Sequence, residues 1–277
     1  MSAKTDHLEA NNINRVIGTN LTKEDFSNQS LSISNSFGVP SQEPKIWGED
    51  FGRINPKIMS SCREGFHVAL SFQGSRVGQN DFYSDVEKIA HLSASTASKN
   101  QFSLLEINLS CPNESSVPIY KSLEDSVKTL KAAHSVISQF KNMKLIAKIG
   151  VMNQEELFAF MGETAPYLNA ISAINTVSSQ IVTESGEIAL GSGSLTGGVC
   201  GRLILSEGLN MMDRLAFVRE KLGLNKEKFG LVGVGGVMNF DHYMSYINAG
   251  ADLVQSATGM MWNLDLAKEI AENLKVD

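Results

Sequence analysis

The chain reads as an α/β protein, and in particular as a (β/α)8 TIM barrel. Three observations predict this. From about residue 66 to the C-terminus, strand-length apolar runs alternate with stretches of helical spacing. Polar and glycine-rich residues cluster where those runs end, the face on which such barrels keep their sites. The length, 277 residues, suits one barrel of this kind.

The elements follow in order. Residues 66–72 form a strand, 81–98 a helix and 104–109 a strand. Residues 122–140 are helical, with Val127, Leu130, Ala133 and Ile137 on one face. Residues 145–149 are a strand, 154–161 a helix and 170–177 a strand, followed by a long Ser/Gly-rich loop over 178–201. A loop of that length is usually functional or mobile. Then come helix 205–222, strand 229–234, helix 240–249, strand 253–257 and helix 264–274. Two weaker strand candidates, 16–21 and 31–35, precede these six and would complete eight. Residues 1–30 are polar and read as a divergent segment ahead of a barrel spanning 31–277, so the barrel is either rebuilt or incomplete at its N-terminal strands. An open doubly wound sheet is the structural alternative.

Composition narrows the function. The 42% apolar content supports a core, and the net charge of −6 argues against nucleic acid as a partner. No apolar run approaches the roughly 20 residues of a membrane span. The three cysteines, Cys62, Cys111 and Cys200, are scattered, as expected of free thiols in a reducing cytoplasm. The histidines form no metal-ligand pair, and no metal is expected.

The chemistry concentrates in Asn108-Leu109-Ser110-Cys111-Pro112-Asn113, directly after the apolar run Leu104–Ile107. A thiol at a strand end can act as nucleophile or general base, and the flanking amides can donate and accept at once. Standing alone, this cysteine would read as a buried thiol in a proline-ended loop. Lys148 closes the next strand and needs an anion or a route to water; by itself it would be a snorkelling lysine. Asn175-Thr176 closes a further strand. Gly233 to Val237 and Ala257-Thr258-Gly259 end the last two strands, where barrels commonly bind phosphate. Taken singly, each reads equally well as an ordinary glycine turn; the two together favour a phosphate. Gly197 to Gly201 adds glycines but lacks the dinucleotide spacing, which disfavours a Rossmann site.

Together these residues resemble the dihydroorotate dehydrogenase family of flavin-dependent (β/α)8 barrels, over roughly residues 30–270. Asn108 to Asn113 is similar to the family's catalytic loop, with Cys111 in the place of the base; cysteine there marks the class 1 enzymes. Asn35-Ser36-Phe37-Gly38-Val39-Pro40 resembles the substrate segment, continued by Lys45 to Asp50. The resemblance implies FMN as cofactor and oxidation of dihydroorotate to orotate in pyrimidine biosynthesis. It implies substrate contacts from Asn35, Phe37, Gly38, Val39, Asn108, Asn113, Asn175 and Thr176. It implies flavin contacts from Lys148, Asn108, Asn175, Cys200, Gly201, Gly235, Gly236, Ala257 and Thr258. The loop after the motif is most like class 1A, which implies fumarate as electron acceptor and a homodimer.

The chain departs from the family at its start. The first strand with its small-residue segment is missing, and Leu21-Thr22-Lys23 only weakly resembles the second, lysine-bearing strand. A non-catalytic or truncated flavin-binding relative, and a flavoenzyme for another dihydropyrimidine, therefore stand as alternatives.

Overall fold

The computed structural model describes residues 2–3, 15–19, 32–35, 44–61, 68–75, 81–111, 117–190 and 195–275; for 2–3, 15–19, 35, 44 and 54–61 this extends to the backbone only. The first elements are β1 (Ser2–Ala3), β2 (Arg15–Thr19), β3 (Ser32–Asn35), α1 (Pro44–Ser61), β4 (Ala69–Phe72) and α2 (Phe82–Lys99). There follow β5 (Leu104–Asn108), α3 (Leu123–Ile137), β6 (Lys144–Ile149), α4 (Gln154–Thr164) and β7 (Ala170–Ala173). The chain continues through β8 (Val177–Val182), β9 (Thr196–Gly201), α5 (Leu205–Lys221), β10 (Gly230–Val234), α6 (Phe240–Asn248), β11 (Leu253–Gln255), α7 (Thr258–Trp262) and α8 (Leu266–Asn273).

Six of these strands form one sheet in the order β11-β10-β7-β6-β5-β4, and the fold is of the α/β class. Contacts divide the chain into two compact units, residues 39–148 with 158–171, and residues 1–38 with 149–157 and 172–277.

In the first of these units, β4, β5 and β6 pair in parallel, with Leu70 opposite Leu105 and Leu105 opposite Leu145. Side chains alternate across a strand. That register puts Leu70, Phe72, Leu105, Ile107, Leu145 and Ala147 on one buried face. Each fully buried large aliphatic side chain contributes about 1.5–3 kcal/mol. Helix α2 contributes Val86, Ala90, Ala94 and Ala97 to the core, and α3 contributes Leu130, Ala133 and Ile137. Both helices start at a side-chain cap. Asp81 accepts from the Tyr83 N–H at 3.1 Å, and Ser122 from the Asp125 N–H at 3.2 Å. The Tyr83 hydroxyl then donates to Asp125 across the α2–α3 seam at 2.9 Å.

Helix α1 was not foreseen, since Pro44, Gly48, Gly52 and Pro56 dilute its periodicity. Residues 45–50, read as a continuation of the substrate segment, are its first turns.

In the other unit, β10 and β11 pair in parallel, and α5 packs on β10. Tyr246 of α6, fully buried, fills the space left by two glycines: a Cβ at Gly208 would stand 1.8 Å from its hydroxyl, and one at Gly233 would stand 2.3 Å from its ring. The Arg219 guanidinium pairs with Asp252, whose carboxylate also accepts from the Leu231 N–H at 2.8 Å, fixing the start of β10.

The same unit holds a second, small closed barrel in the order β1-β2-β8-β9-β3. Here two expectations are corrected. The weak strand candidates do form strands, but β2 and β3 pair with β8 and β9 rather than extending the parallel sheet. A parallel strand covered on both faces needs a nearly continuous apolar run. Ser-Ile-Ser-Asn of β3 instead places Ser32 and Ser34 inside. The expected long loop after residue 177 is an antiparallel pair, β8 with β9, in which Val177 faces Val199 and Gln180 faces Thr196. Serines and glycines in both strands hid it, because neither residue type carries strand propensity. Closure of this small barrel removes the free edges that five short strands would otherwise expose.

Candidate functional site

The C-terminal ends of β5 and β6 carry the polar groups of the first unit. Asn108 lies opposite Lys148 in the β5–β6 register, and the ladder runs one bond further through the Leu109 N–H to the Lys148 carbonyl at 3.0 Å. The face opposite the apolar one therefore bears Ser71, Glu106, Asn108 and Lys148, with Gln73 just beyond β4. The Ser71 hydroxyl donates to Glu106, itself buried, at 3.1 Å.

The Asn108 carboxamide is held at both ends. Its Nδ2 donates to Gln73 Oε1 at 3.2 Å, and its Oδ1 accepts from the Ser110 N–H at 3.1 Å and the Ser110 hydroxyl at 2.7 Å. Cys111 follows at once, half-buried and with a free thiol. Lys148 is half-buried, and among the described residues it has no ion-pair partner. An ammonium so placed favours an anionic ligand beside it.

The other unit gathers the glycine motifs. Gly201, Gly235 and Gly236 have φ of 90°, 126° and 74°, a region closed to most side chains. A Cβ on Gly236 would also come within 2.7 Å of the Leu205 backbone, so the turn after β10 lies directly against the start of α5. The Cys200 thiol donates to the Ile33 carbonyl at 3.6 Å and shares a hydrogen bond with Thr258. Burial pushes this thiol up from its ordinary value, against the two hydrogen bonds, so Cys200 is a protonated structural thiol. Thr258 is buried, Ala257 is exposed and Ser256 donates to the Val237 carbonyl at 2.7 Å. Cys200, Gly201, Thr258 and the Gly235–Gly236 turn thus belong to one unit.

Asn175 donates its N–H to the Ile149 carbonyl at 3.1 Å, and its Oδ1 accepts from the Thr176 N–H at 2.8 Å. Thr176 itself is exposed and lies against Gly198, where a Cβ would stand 2.4 Å from its hydroxyl. The Asn35 backbone ends β3 opposite Gly198. Lys23, Phe37, Gly38, Val39 and Asn113 lie outside the described residues.

Sequence reasoning missed four groups. Gln73 and Ser110 fix Asn108; Ser110 could have been found as an Asx-type partner two residues on, whereas Gln73 carries no local signal. Arg202 and His242 flank the glycine turn. The Met238 N–H donates to His242 Nδ1 at 3.3 Å, and burial, then Arg202, pull the His242 pKa below its ordinary value, opposed by Asp241. Among the described residues no cluster of histidine, cysteine or carboxylates could hold a metal ion, and no helix is long and apolar enough to cross a membrane.

A parallel sheet with polar side chains and glycine turns at its strand ends is the arrangement of the barrel-type α/β enzymes. The family model described as dihydroorotate dehydrogenase matches residues 34–276, and the chain belongs to that family. A dihydroorotate dehydrogenase of Dictyostelium discoideum is 30% identical over 88% of this chain and 64% of its own length. The catalytic subunit of a dihydroorotate dehydrogenase B (NAD(+)) from Brachyspira hyodysenteriae is 24% identical over 78% of this chain and 65% of its own. The chain thus spans somewhat less than two thirds of these relatives. A crystal structure of DHODH from Eimeria tenella in complex with ferulenol shares the fold, with a TM-score of 0.67 at 17% identity over 88% of this chain and 68% of that one.

Proposed function

We propose that this chain is an FMN-dependent dihydroorotate dehydrogenase, oxidising dihydroorotate to orotate for pyrimidine biosynthesis in the cytoplasm. The observation that carries the reading is the Asn108–Lys148 pairing at two strand ends, with Cys111 three residues beyond Asn108. Cys111, as thiolate, takes the C5 proton of the substrate. Asn108 presents a fixed carboxamide, and with Asn35, Asn113, Asn175 and Thr176 it orients the substrate's carboxylate and imide edges; Phe37, Gly38 and Val39 complete that contact.

The residues fit a flavin phosphate. The ammonium of Lys148, without an ion-pair partner among the described residues, suits a group that becomes negative on reduction. Positive-φ glycines at Gly201, Gly235 and Gly236 suit close backbone approach to a phosphate, with Cys200, Ala257 and Thr258 beside them in sequence or fold. When bound, FMN supplies the two-electron acceptor for the hydride leaving C6.

Fumarate as the final oxidant, with a homodimer, is the reading that the sequence likeness of the loop after Cys111 to class 1A supports. A second reading has a specific support: relatives that are catalytic subunits of NAD-linked B-type enzymes, which would make a partner protein the electron exit. An anaerobic titration of the FMN-supplied chain with dihydroorotate tests the chemistry. Bleaching of the flavin band is expected, and fumarate should restore it while NAD alone should not. Bound flavin that dihydroorotate does not bleach would mean another dihydropyrimidine or a non-catalytic relative. Cys111→Ser should slow bleaching strongly near neutral pH while leaving FMN bound.

A further inference from the structure

We propose that the unit containing Cys111 has a separate binding chamber for a small, uncharged aromatic carbonyl compound, seated between α1, α2 and β4. A cavity of about 360 Å³ opens there. Its walls are Trp47 and Phe51 of α1, Ile89 and Ser93 of α2, and the run Ala69–Gln73, with Asn108 at one end. The volume lies at the low end of small-molecule pockets, room for a one- or two-ring ligand. Among the described residues no charged side chain lines it, which favours an uncharged ligand.

The second observation is Ser93. Its side chain is fully buried, it faces this cavity, and its hydroxyl has no hydrogen-bond partner. A buried helical serine ordinarily bonds the carbonyl four residues back. Here it does not, and an unmet buried hydroxyl costs about 1–3 kcal/mol. A ligand acceptor oxygen would relieve that cost, which selects a carbonyl over a hydrocarbon. The aromatic preference comes from the wall: Trp47 and Phe51 meet edge to face at 6.5 Å, and Phe51 meets Phe102 the same way at 5.9 Å, the geometry in which a further ring packs. The chamber shares Asn108 and its partner Gln73 with the proposed dehydrogenase site, but neither Ser93 nor Phe51 takes part in that chemistry.

The test is a fluorine NMR titration of the full chain with 4-fluoroacetophenone and, as the isosteric hydrocarbon, 4-fluoro-α-methylstyrene. Saturable binding of both is expected, with the ketone preferred about fivefold, the worth of one ordinary hydrogen bond. Ser93→Ala should abolish that preference while leaving hydrocarbon affinity unchanged. Ile89→Trp, which fills the chamber, should abolish both; Ile89→Phe serves if the larger side chain prevents folding. Absence of saturable binding, a ketone preference that survives Ser93→Ala, or full binding in the filled variant would each overturn the proposal. The first of these outcomes would leave Ser93 bonded to a trapped water only.

Discussion

Gln73 Oε1 accepts from Asn108 Nδ2 at 3.2 Å, a hydrogen bond between residues 35 apart that joins the ends of two neighbouring strands. With Ser110 holding the opposite end of the same amide, the Asn108 carboxamide has one orientation. On the proposed function, Gln73 is thus a positioning residue for Asn108. Gln73→Leu removes the acceptor but keeps the bulk. The expected loss is about 0.5–1.5 kcal/mol, or up to about tenfold in dihydroorotate affinity. Gln73→Glu, which retains an acceptor, should recover most of it. Stopped-flow flavin reduction at varied dihydroorotate checks this. Equal losses in both variants would mean that Gln73 acts only through packing.

A pH effect follows from His242. Its Nδ1 must be unprotonated to accept from the Met238 N–H, and burial and Arg202 both disfavour the charged ring. The folded pKa therefore lies below the unfolded value of about 6.5. For a group with a depressed pKa, the stabilising contribution is complete above the unfolded value and is lost as pH falls through the folded one. Urea midpoints measured at pH 7.5 and at pH 5.5 should fall more steeply in the parent than in His242→Gln. Parallel falls would remove His242 from the acid limb.

Asp252 shows how one carboxylate can hold three elements. It pairs with Arg219 of α5, receives the Leu231 N–H of β10 at 2.8 Å, and its own N–H donates to the Leu231 carbonyl at 2.8 Å just before β11. Arg219 is mostly buried, so removing its partner leaves an uncompensated cation. Asp252→Ala should cost about 3 kcal/mol in a urea unfolding experiment. Asp252→Asn, which keeps an oxygen for Leu231, should cost less. A surface-type loss below about 0.5 kcal/mol would show the pair to be solvated.

What the sequence disclosed, and what it hid, has a physical pattern. Strands β5, β6 and β10 were legible because parallel strands covered on both faces are nearly unbroken apolar runs, as in Leu104–Ile107. Helices α2 and α3 were legible from their 3.6-residue spacing and their capping Asp81 and Ser122. Lys148 and Asn108 could be placed because each directly ends such a run. The small barrel was opaque: β9, Thr-Gly-Gly-Val-Cys-Gly, has little side chain to show a period, and its partner β3 lies more than 160 residues upstream. Gln73 was opaque for the same reason, since its role rests on a tertiary contact with no sequence period.

The last prediction concerns the glycine turn. The Tyr246 hydroxyl donates to the Gly235 carbonyl at 2.8 Å and to the Val234 carbonyl at 3.1 Å, and burial raises its pKa well above the ordinary phenol value. The hydroxyl therefore stays protonated, and this contribution is lost only as pH rises past the phenol range. Tyr246→Phe strips the turn of its donor and should cost about 1–3 kcal/mol. Gly208→Ala should be worse, because its Cβ would stand 1.8 Å from that hydroxyl oxygen. The two changes are coupled: in the Tyr246→Phe background the clash loses its nearest atom, and the ring carbon behind it lies 3.0 Å away. Gly208→Ala should then cost measurably less than it does alone, a coupling of about 1 kcal/mol or more in a double-mutant cycle. Strictly additive losses would mean that α5 shifts to relieve the clash, and that the hydroxyl is not what fixes α5 against the turn.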